Sequence, residues 1–556
     1  MNTRRTAEES RTAEESKTDT NLEQKLQQFA KGRIEVPLCV DGDAYTVAGE
    51  ILSSDKASQK SVYGMSFRRS PSKAPEFEGF VAPEDDRMIL YGLSDYIRDK
   101  LTKPLTREQL DEGMEFMSTA HAFGGALPLD RKLWERVIDE YDGFLPIQIE
   151  ALPEGSTFYP NEIPVQVTSL DEGFGELAAL IEAHMVGMVA TTSTKATMDR
   201  HLLERFREYA CEDDPKASEE DILFRAKLMV HDFGMRASST PQESENYGRA
   251  HLLCFSGTDT FNAAYQAWKM NDKKRVGSSI LALAHRTVQG ADSEKEAFQT
   301  MRTAAGPGGI GSYVADCYDF REAVRNELKP MAVEASHTDK AIIVARPDSG
   351  DAKENVLFVL DQACEAEVYR VQDNGRIAMT NLSNIQGDSM TWKKMKEITE
   401  AKIDHGYSPV NCGIFGVGGW KRNIPTRDTL SVAYKLMAKG EDLEPEVKLS
   451  DTFVKISVSG PVKTLRGQDK DQPSTVMHYE TGHAGQNAFQ VFYNGSAQGI
   501  DKYKAPCVET FSVIQDRAIH EFDQSPLNRR VLSDEIVRIQ KETMERHGRS
   551  FSDYKF

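Results

Sequence analysis

The seven cysteines, Cys39, Cys211, Cys254, Cys317, Cys364, Cys412 and Cys507, include no C-x-x-C pair and are scattered singly along 556 residues. An odd, dispersed set does not make a disulfide framework; it predicts free thiols in a reducing compartment, the cytoplasm. Long apolar runs are missing too. The longest, Leu177 to Ala190, contains Glu182 and His184, and the amino terminus opens on charges instead of an apolar signal core, so neither a membrane span nor export is expected. Positive charge is scarce as well, with 68 Lys and Arg against 87 Asp and Glu for a net −19. A protein that neutralises the phosphates of a nucleic acid or an acidic membrane needs a basic face, which excludes both as partners. Any cations that serve an anionic ligand here act locally.

What is present suffices for two domains: 39% of residues are hydrophobic, and the chain is longer than one core usually supports. It begins with a tandem repeat, Arg5 to Ser10 and Arg11 to Ser16, whose polarity predicts a disordered tail over residues 1–30. Residues 31–185 read as an α+β domain, with Ser53 to Asp86 looping out, helices at Leu90 to Leu101 and Arg131 to Tyr141, and short strands between Ile147 and Val167. Residues 186–440 read as an α/β barrel carrying the site. Residues 441–556 complete the α+β domain and end in an amphipathic helix, Ser533 to Arg546. Acidic Cys211 to Asp221, glycine-rich Ala305 to Gly311 and polar Arg466 to Ser474 read as surface loops.

The barrel reading rests on a recurring pattern. Ala341 to Ala345 is a short apolar run that ends in Arg346-Pro347-Asp348-Ser349-Gly350-Asp351, followed by helical spacing over Glu354 to Glu365. The pattern of apolar run and polar or glycine-rich tip returns at Leu228 to Val230 before His231-Asp232-Phe233-Gly234 and Arg236, and at Leu252 to Phe255 before Ser256-Gly257-Thr258-Asp259. It returns again at Ile280 to Ala284 before His285, Tyr313 to Ala315 before Asp316, Ile385 before Gln386-Gly387-Asp388, and Ile414-Phe415 before Gly416-Val417-Gly418-Gly419. Helical segments such as Asn262 to Met270 and Lys295 to Met301 separate most of them. Strands that repeatedly end in functional groups on one side predict an α/β barrel with its site at the carboxyl-end face.

The ordered set His231-Asp232-Phe233-Gly234, Gly257-Thr258-Asp259-Thr260, Arg346-Pro347-Asp348-Ser349-Gly350, Gln386-Gly387-Asp388 and Thr426-Arg427-Asp428 resembles the nicotinamide phosphoribosyltransferase family. Tyr141-Asp142-Gly143, Leu145-Pro146-Ile147 and Pro153-Glu154-Gly155 fit as well, so the resemblance runs from Val36 to the last helix. It implies a type II phosphoribosyltransferase fold, an irregular α/β barrel with an additional α+β domain, assembled as a homodimer with shared active sites. The implied reaction joins nicotinamide to phosphoribosyl pyrophosphate, giving nicotinamide mononucleotide and pyrophosphate in NAD salvage, with Mg²⁺ and with ATP as co-substrate.

Displacing pyrophosphate from C1 of a ribose develops oxocarbenium character, so the site must hold a polyanion and place the pyridine nitrogen in line. The resemblance implies Arg69, Arg236, Arg427, Lys435, Lys455 and Lys463 as phosphate or pyrophosphate cations. It implies Gly418 and Gly419 as a phosphate-holding turn, followed by Trp420 where the family commonly continues with glycine. Asp388 is the implied acceptor of ribose hydroxyls, and Asp316 and Asp348 the groups nearest the metal. Phe233 and Tyr45, the latter in a looser Asp43-Ala44-Tyr45 match, are the implied stacking pair for the pyridine ring, with Tyr45 entering the partner's site. By the same resemblance Arg346 is expected to orient the carboxamide oxygen and Ser312 to line the tunnel behind it, and Asp259, a carboxylate that accepts from an amide NH₂, is expected to favour the amide over the acid. His285 resembles a histidine phosphorylated by ATP, although Ala284 and Arg286 replace the acidic and small hydroxyl neighbours usual there.

The residues alone leave plainer roles open. Arg346 and Asp348 suit a capped turn with a surface ion pair, Phe233 a core position, and Asp316 and Asp259 helix caps. Two other functions also remain open, a nicotinate phosphoribosyltransferase and a binding protein that keeps the scaffold without turnover.

Overall fold

In the computed structural model, residues 30, 32, 35–52, 54, 58–450, 456–465, 475–478 and 487–550 are described. Most of the expected tail, Lys455 and the segment Arg466 to Ser474 lie outside them. The described residues up to Leu52 pack with Pro104–Gly143 as one compact unit, and the remainder form a second.

The first unit holds short turns at Leu38–Val40 and Ala44–Val47 and the helices Arg107–Thr119 and Arg131–Tyr141. The first of these helices carries a full capping box: the Thr106 hydroxyl accepts from Gln109 N, and the Gln109 side chain returns to Thr106 N.

Among its described residues, the second unit has two principal sheets. One is curled and parallel, with strands numbered in chain order: β1 Val230–Asp232, β2 Gly257–Thr258, β3 Leu281–Ala282, β4 Ile310–Val314, β5 Ile342–Arg346, β6 Leu382–Gln386 and β7 Ile414–Val417. Their spatial order is β2-β1-β7-β6-β5-β4-β3. A parallel bridge between Gly257 and Ser278, just before β3, ties one edge towards the other. Helices cover the outside, where Phe298, Val324, Leu328 and Val359 pack with Tyr313 and Ile343 as a buried core. The other sheet is antiparallel and brings together Ser61–Phe67, Val165–Ser169, Ile147–Ala151, Gln490–Asn494, Val432–Lys439 and Glu444–Pro445.

Four local expectations are corrected. Leu252 to Phe255 is no strand: Leu252 ends the helix Pro241–Leu252, and β2 begins at Gly257. A buried last turn of helix and a buried strand look alike over four apolar residues. Cys211 to Asp221 is no continuous loop, because the helix Ala190–Asp213 runs into it and the helix Glu219–Leu228 starts within it. Ser218 caps Asp221 N at 3.1 Å, and Glu219, Glu220 and Asp221 occupy the first turn, where the helix dipole favours carboxylates. Ser53 to Asp86 does not simply loop out, since Ser61–Phe67 is an interior strand of the antiparallel sheet. Finally, Val432–Lys439 pairs with Ser61–Phe67 instead of joining the barrel, so the α+β pairing begins before residue 440.

Candidate active site

Strand register decides which tips meet. The ladders pair Asp232 with both Thr258 and Val417, Gln386 with Phe415, Ala345 with Asn384, and Arg346 with Val314. One or two residues beyond these pairs stand Asp259, Phe233, Gly418, Gly387, Asp348 and Asp316. A parallel sheet therefore lines them up along its carboxyl ends, the usual place of ligand sites in such folds.

Phe233, Arg236, Arg346, Asp348, Gly387, Gly418 and Gly419 line one cleft of about 570 Å³, together with Ser389, Met390, Thr391, Trp420 and Asn423. Phe233 N donates to Val417 O at 3.0 Å, and a Cβ on Gly416 would stand 2.1 Å from the Phe233 ring. The ring therefore depends on a bare backbone beneath it. The Arg346 guanidinium lies 5.4 Å from the centroid of that ring, within cation–π range, and Nη2 donates to Asp348 Oδ2 at 3.1 Å. Arg346 Nε is buried without a hydrogen-bond partner among the described residues. A donor left unsatisfied in this way is costly unless a ligand oxygen takes it. Asp348 does not cap the next helix, because Asp351 does, accepting from Glu354 N at 2.9 Å.

A second group sits along the same row. His285 Nε2 lies 3.0 Å from Asp316 Oδ1, and Asp316 Oδ2 accepts from Ser349 Oγ at 2.7 Å. Asp319, not Asp316, caps the helix turn at Phe320–Ala323. Asp259 does not cap its helix through its side chain either; its carboxylate accepts from Ser279 Oγ. Burial holds the His231 imidazole below its ordinary pKa, and nearby Asp259 offsets part of that shift. Asp388 sits between two residues of the cleft wall and accepts from Ser389 Oγ at 3.0 Å. Ser312 is buried in β4, opposite Val344, and is not in the cleft wall.

The remaining cations divide. Arg69 Nη1 donates to the carbonyls of Asp428 and Thr429 at 2.9 and 3.1 Å, beside exposed Arg427. Arg68, absent from the sequence reading, joins them: burial, then Arg427, pull its guanidinium below the ordinary value. Lys435 lies 3.1 Å from Glu182, while Lys463 stands in the strand Val462–Leu465 and interacts electrostatically with Glu150. Neither lines the cleft. Asp43 and Tyr45 belong to the first unit, where the exposed Tyr45 hydroxyl donates to Asp43 Oδ2 at 3.1 Å.

Sequence reasoning missed Ser389, Met390, Thr391 and Asn423 in the cleft wall. Thr391 is legible afterwards as the cap of the helix Trp392–Asp404, accepting from Lys394 N. Trp420 meets Phe80 edge to face at 6.0 Å, and Phe80 meets Trp392 at 6.2 Å, so an aromatic wall closes that side.

No cluster of three or more His, Cys, Asp or Glu side chains suited to a metal occurs among the described residues. Asp348 and Asp316 are hard carboxylate donors of the kind that a magnesium ion takes together with substrate oxygens and waters. Among the described residues no helix is long and apolar enough to cross a membrane.

The chain matches the nicotinate phosphoribosyltransferase (NAPRTase) family over residues 228–465. It is 29% identical over 361 residues to a nicotinamide phosphoribosyltransferase of Xanthomonas campestris pv. campestris (strain 8004), covering 64% of this chain and 74% of that protein. It is 26% identical over 420 residues to a nicotinamide phosphoribosyltransferase of Acinetobacter baylyi (strain ATCC 33305 / BD413 / ADP1), covering 69% and 81%. The crystal structure of human nicotinic acid phosphoribosyltransferase superposes with a TM-score of 0.56 at 15% identity, over 92% of this chain and 100% of that one, a likeness of fold.

Proposed function

We propose, from the match to the nicotinate phosphoribosyltransferase family over residues 228–465 and the similarity to two nicotinamide phosphoribosyltransferases, that the chain is a member of that family and makes nicotinamide mononucleotide from nicotinamide and phosphoribosyl pyrophosphate in cytoplasmic NAD salvage. The observation that best supports this is one cleft lined by an aromatic platform, Phe233, a cation with an unsatisfied donor, Arg346, and a glycine turn, Gly418 and Gly419.

In this reading the pyridine ring stacks on Phe233 and its carboxamide oxygen accepts from Arg346, which Asp348 holds in place. The ring nitrogen forms a bond to C1 as the bond from C1 to the pyrophosphate oxygen breaks, and that electron pair leaves with pyrophosphate. The backbone N–H groups at Gly418 and Gly419 hold the 5′-phosphate, assisted by Arg236, and Asp388 accepts from the ribose hydroxyls. Arg69 and Arg427, with Lys435, Lys455 and Lys463 as further cations, serve the phosphates. Ser312 stays behind the pyridine pocket. Asp348 and Asp316 would hold Mg²⁺ together with pyrophosphate oxygens, and the ion would supply charge neutralisation of the leaving group.

ATP enters through His285. Asp316 engages one ring nitrogen and orients the imidazole, which makes the other nitrogen the acceptor of the γ-phosphoryl group. The homodimer, with Asp43 and Tyr45 of each chain serving the partner's site, belongs to the same proposal. Mixing inactive Tyr45→Ala and Asp348→Ala chains should then restore activity; no recovery despite measured subunit exchange would reject shared sites.

One assay tests the whole reading: purified protein with phosphoribosyl pyrophosphate and Mg²⁺, offered nicotinamide or nicotinate, with and without ATP. Mononucleotide formed from nicotinamide is the expected result. Preference for nicotinate would move the chain to the acid-using reaction, and no product from either ring would reject catalysis.

A further inference from the structure

Beneath the Gly418–Gly419 turn lies a set of charges that the reaction described above does not touch. In the one-turn helix Gly419–Asn423, residues Gly419, Trp420 and Asn423 line the cleft, while Lys421 and Arg422 do not and are 0% and 4% exposed. Lys421 Nζ lies 2.5 Å from Asp199 Oδ1 and 2.7 Å from His251 Nδ1. His251 Nε2 lies 2.9 Å from Gly257 O, so its proton belongs on Nε2, and Nδ1 accepts from the ammonium. The other oxygen of Asp199 takes Lys195. Arg422 Nη2 lies 2.7 Å from Asp232 Oδ2, and Arg422 Nε donates to Gly234 O at 3.2 Å. Asp232 Oδ1 in turn accepts from Gly234 N at 3.1 Å.

These contacts tie the helix Gly419–Asn423 to three elements. Lys421 reaches the helices Ala190–Asp213 and Pro241–Leu252, through Asp199 and His251. Arg422 reaches the turn after β1 that carries Phe233. Burial drives the Lys195 ammonium down to about 7, so near neutrality the lasting charges are Lys421 opposite Asp199 and Arg422 opposite Asp232. Burial, reinforced by Lys421, drives the His251 imidazole down to about 3, so it adds no charge near neutrality. Burial would raise the Asp232 carboxyl, but Arg422 and its neighbours hold it well below the usual range. Buried ion networks are seldom worth more to stability than apolar residues of equal volume. Their place under a turn that receives an anion has a different use.

We propose that Lys421 and Arg422 are positioning residues that lock the Gly418–Gly419 turn to the Phe233 turn and to the two helices behind it, and so hold the turn in the shape that receives the phosphate of phosphoribosyl pyrophosphate. This rests on the assignment of that turn to the phosphate. Lys421→Met removes the charge and leaves Asp199 paired with Lys195; Lys421→Gln removes it while keeping a donor for Asp199 and His251, and serves if the methionine variant does not fold. Arg422→Lys keeps the charge.

Binding of phosphoribosyl pyrophosphate by calorimetry, with steady-state KM for each substrate, separates the outcomes. The Lys421 variants, which cut the charged tie to Asp199, should let the turn shift and weaken phosphoribosyl pyrophosphate binding roughly ten-fold or more and raise its KM, with the KM of nicotinamide little changed. Arg422→Lys should keep phosphoribosyl pyrophosphate affinity within about three-fold and raise the KM of nicotinamide, because the Phe233 turn loses its tie. Folded Lys421 variants that bind phosphoribosyl pyrophosphate as wild type does would overturn the inference alone. A wild-type protein that does not bind phosphoribosyl pyrophosphate would overturn the functional reading, and this inference with it.

Discussion

Gly416→Ala is the smallest change that reaches the proposed ring platform without touching a polar group. The new methyl carbon would stand 2.1, 2.5 and 2.8 Å from Cε2, Cδ2 and Cζ of Phe233. Carbon atoms rest about 3.5–4.0 Å apart, so the ring must shift by roughly 1.5 Å. It cannot slide freely along the sheet. The Gly387 backbone borders the same ring edge, so close that a Cβ added there would stand 3.3 Å from it, and Phe233 N is held by Val417 O. The remaining direction is into the cleft, where the pyridine is expected. Overpacking of this kind costs about 1–3 kcal/mol of stability, and a misplacement of about 1 Å in a reacting complex costs about 10²-fold in rate.

The assay is kcat/KM for nicotinamide alongside thermal melting, with Gly187→Ala as control because no atom lies within 4 Å of its added Cβ. We expect Gly416→Ala to lose about 10²-fold in kcat/KM with a modest fall in melting temperature. In a Phe233→Ala background, Gly416→Ala should cost little more, since the clash partner is gone. Wild-type kinetics in folded Gly416→Ala, or full additivity of the two changes, would refute the claim that the glycine serves the ring.

His285→Ala should abolish nicotinamide-dependent ATP hydrolysis while leaving slow mononucleotide synthesis, and measurable hydrolysis in the variant would end that role. Asp259→Ser should lower nicotinamide use and raise the nicotinate-to-nicotinamide ratio, by less than a buried charge would give, because Asp259 is exposed; an unchanged ratio in a folded variant rejects Asp259 as selector. Burial keeps the His201 imidazole neutral, with its pKa lowered to about 4. Between pH 6.5 and 4 the unfolded chain therefore binds the extra proton, and melting temperature should fall as pH drops through that window. His201→Gln should flatten part of this slope, and an identical slope in the variant would assign the acid sensitivity to other groups.

The parallel sheet was legible because its strands are short apolar runs stopped by charged or glycine-rich tips, as at Ala345-Arg346 and Phe415-Gly416. The misreading at Leu252 to Phe255 shows the limit: burial on all sides erases periodicity, and only the cap at Thr240 followed by Pro241 marks the helix whose last turn this is. The buried charges were not legible at all. Lys195 and Asp199 stand four apart on a helix, the same spacing as an exposed Arg–Glu pair such as Arg136 and Glu140. Nothing local separates a solvated pair from one with both side chains fully buried; packing against the helices of a large domain does. The residues Ala190 to His201, mostly hydroxylated or charged, are buried for the same reason.

Ala284 illustrates how much a linear reading loses at such a site. Along the chain, it looks like the loss of the carboxylate that should steer His285. Across the sheet, the ladder places Ala282 opposite Ser312, and Ser312 opposite Val344. Past these pairs β3 gives way, with Ala284 as N-cap, to the helix His285–Gln289, while Asp316 and Asp348 stand two residues beyond the ends of β4 and β5. Two short contacts join these tips: Asp316 takes His285 on one oxygen and Ser349 on the other. Ala284 is the N-cap residue of the helix that His285 opens, and the carboxylate that meets the imidazole comes from beyond the end of the neighbouring strand. In the proposed ATP coupling Asp316 takes the place of the acidic neighbour missing at Ala284, and Asp316→Asn should weaken that coupling in the same direction as His285→Ala. Full ATP coupling in folded Asp316→Asn would show that the imidazole needs no such partner.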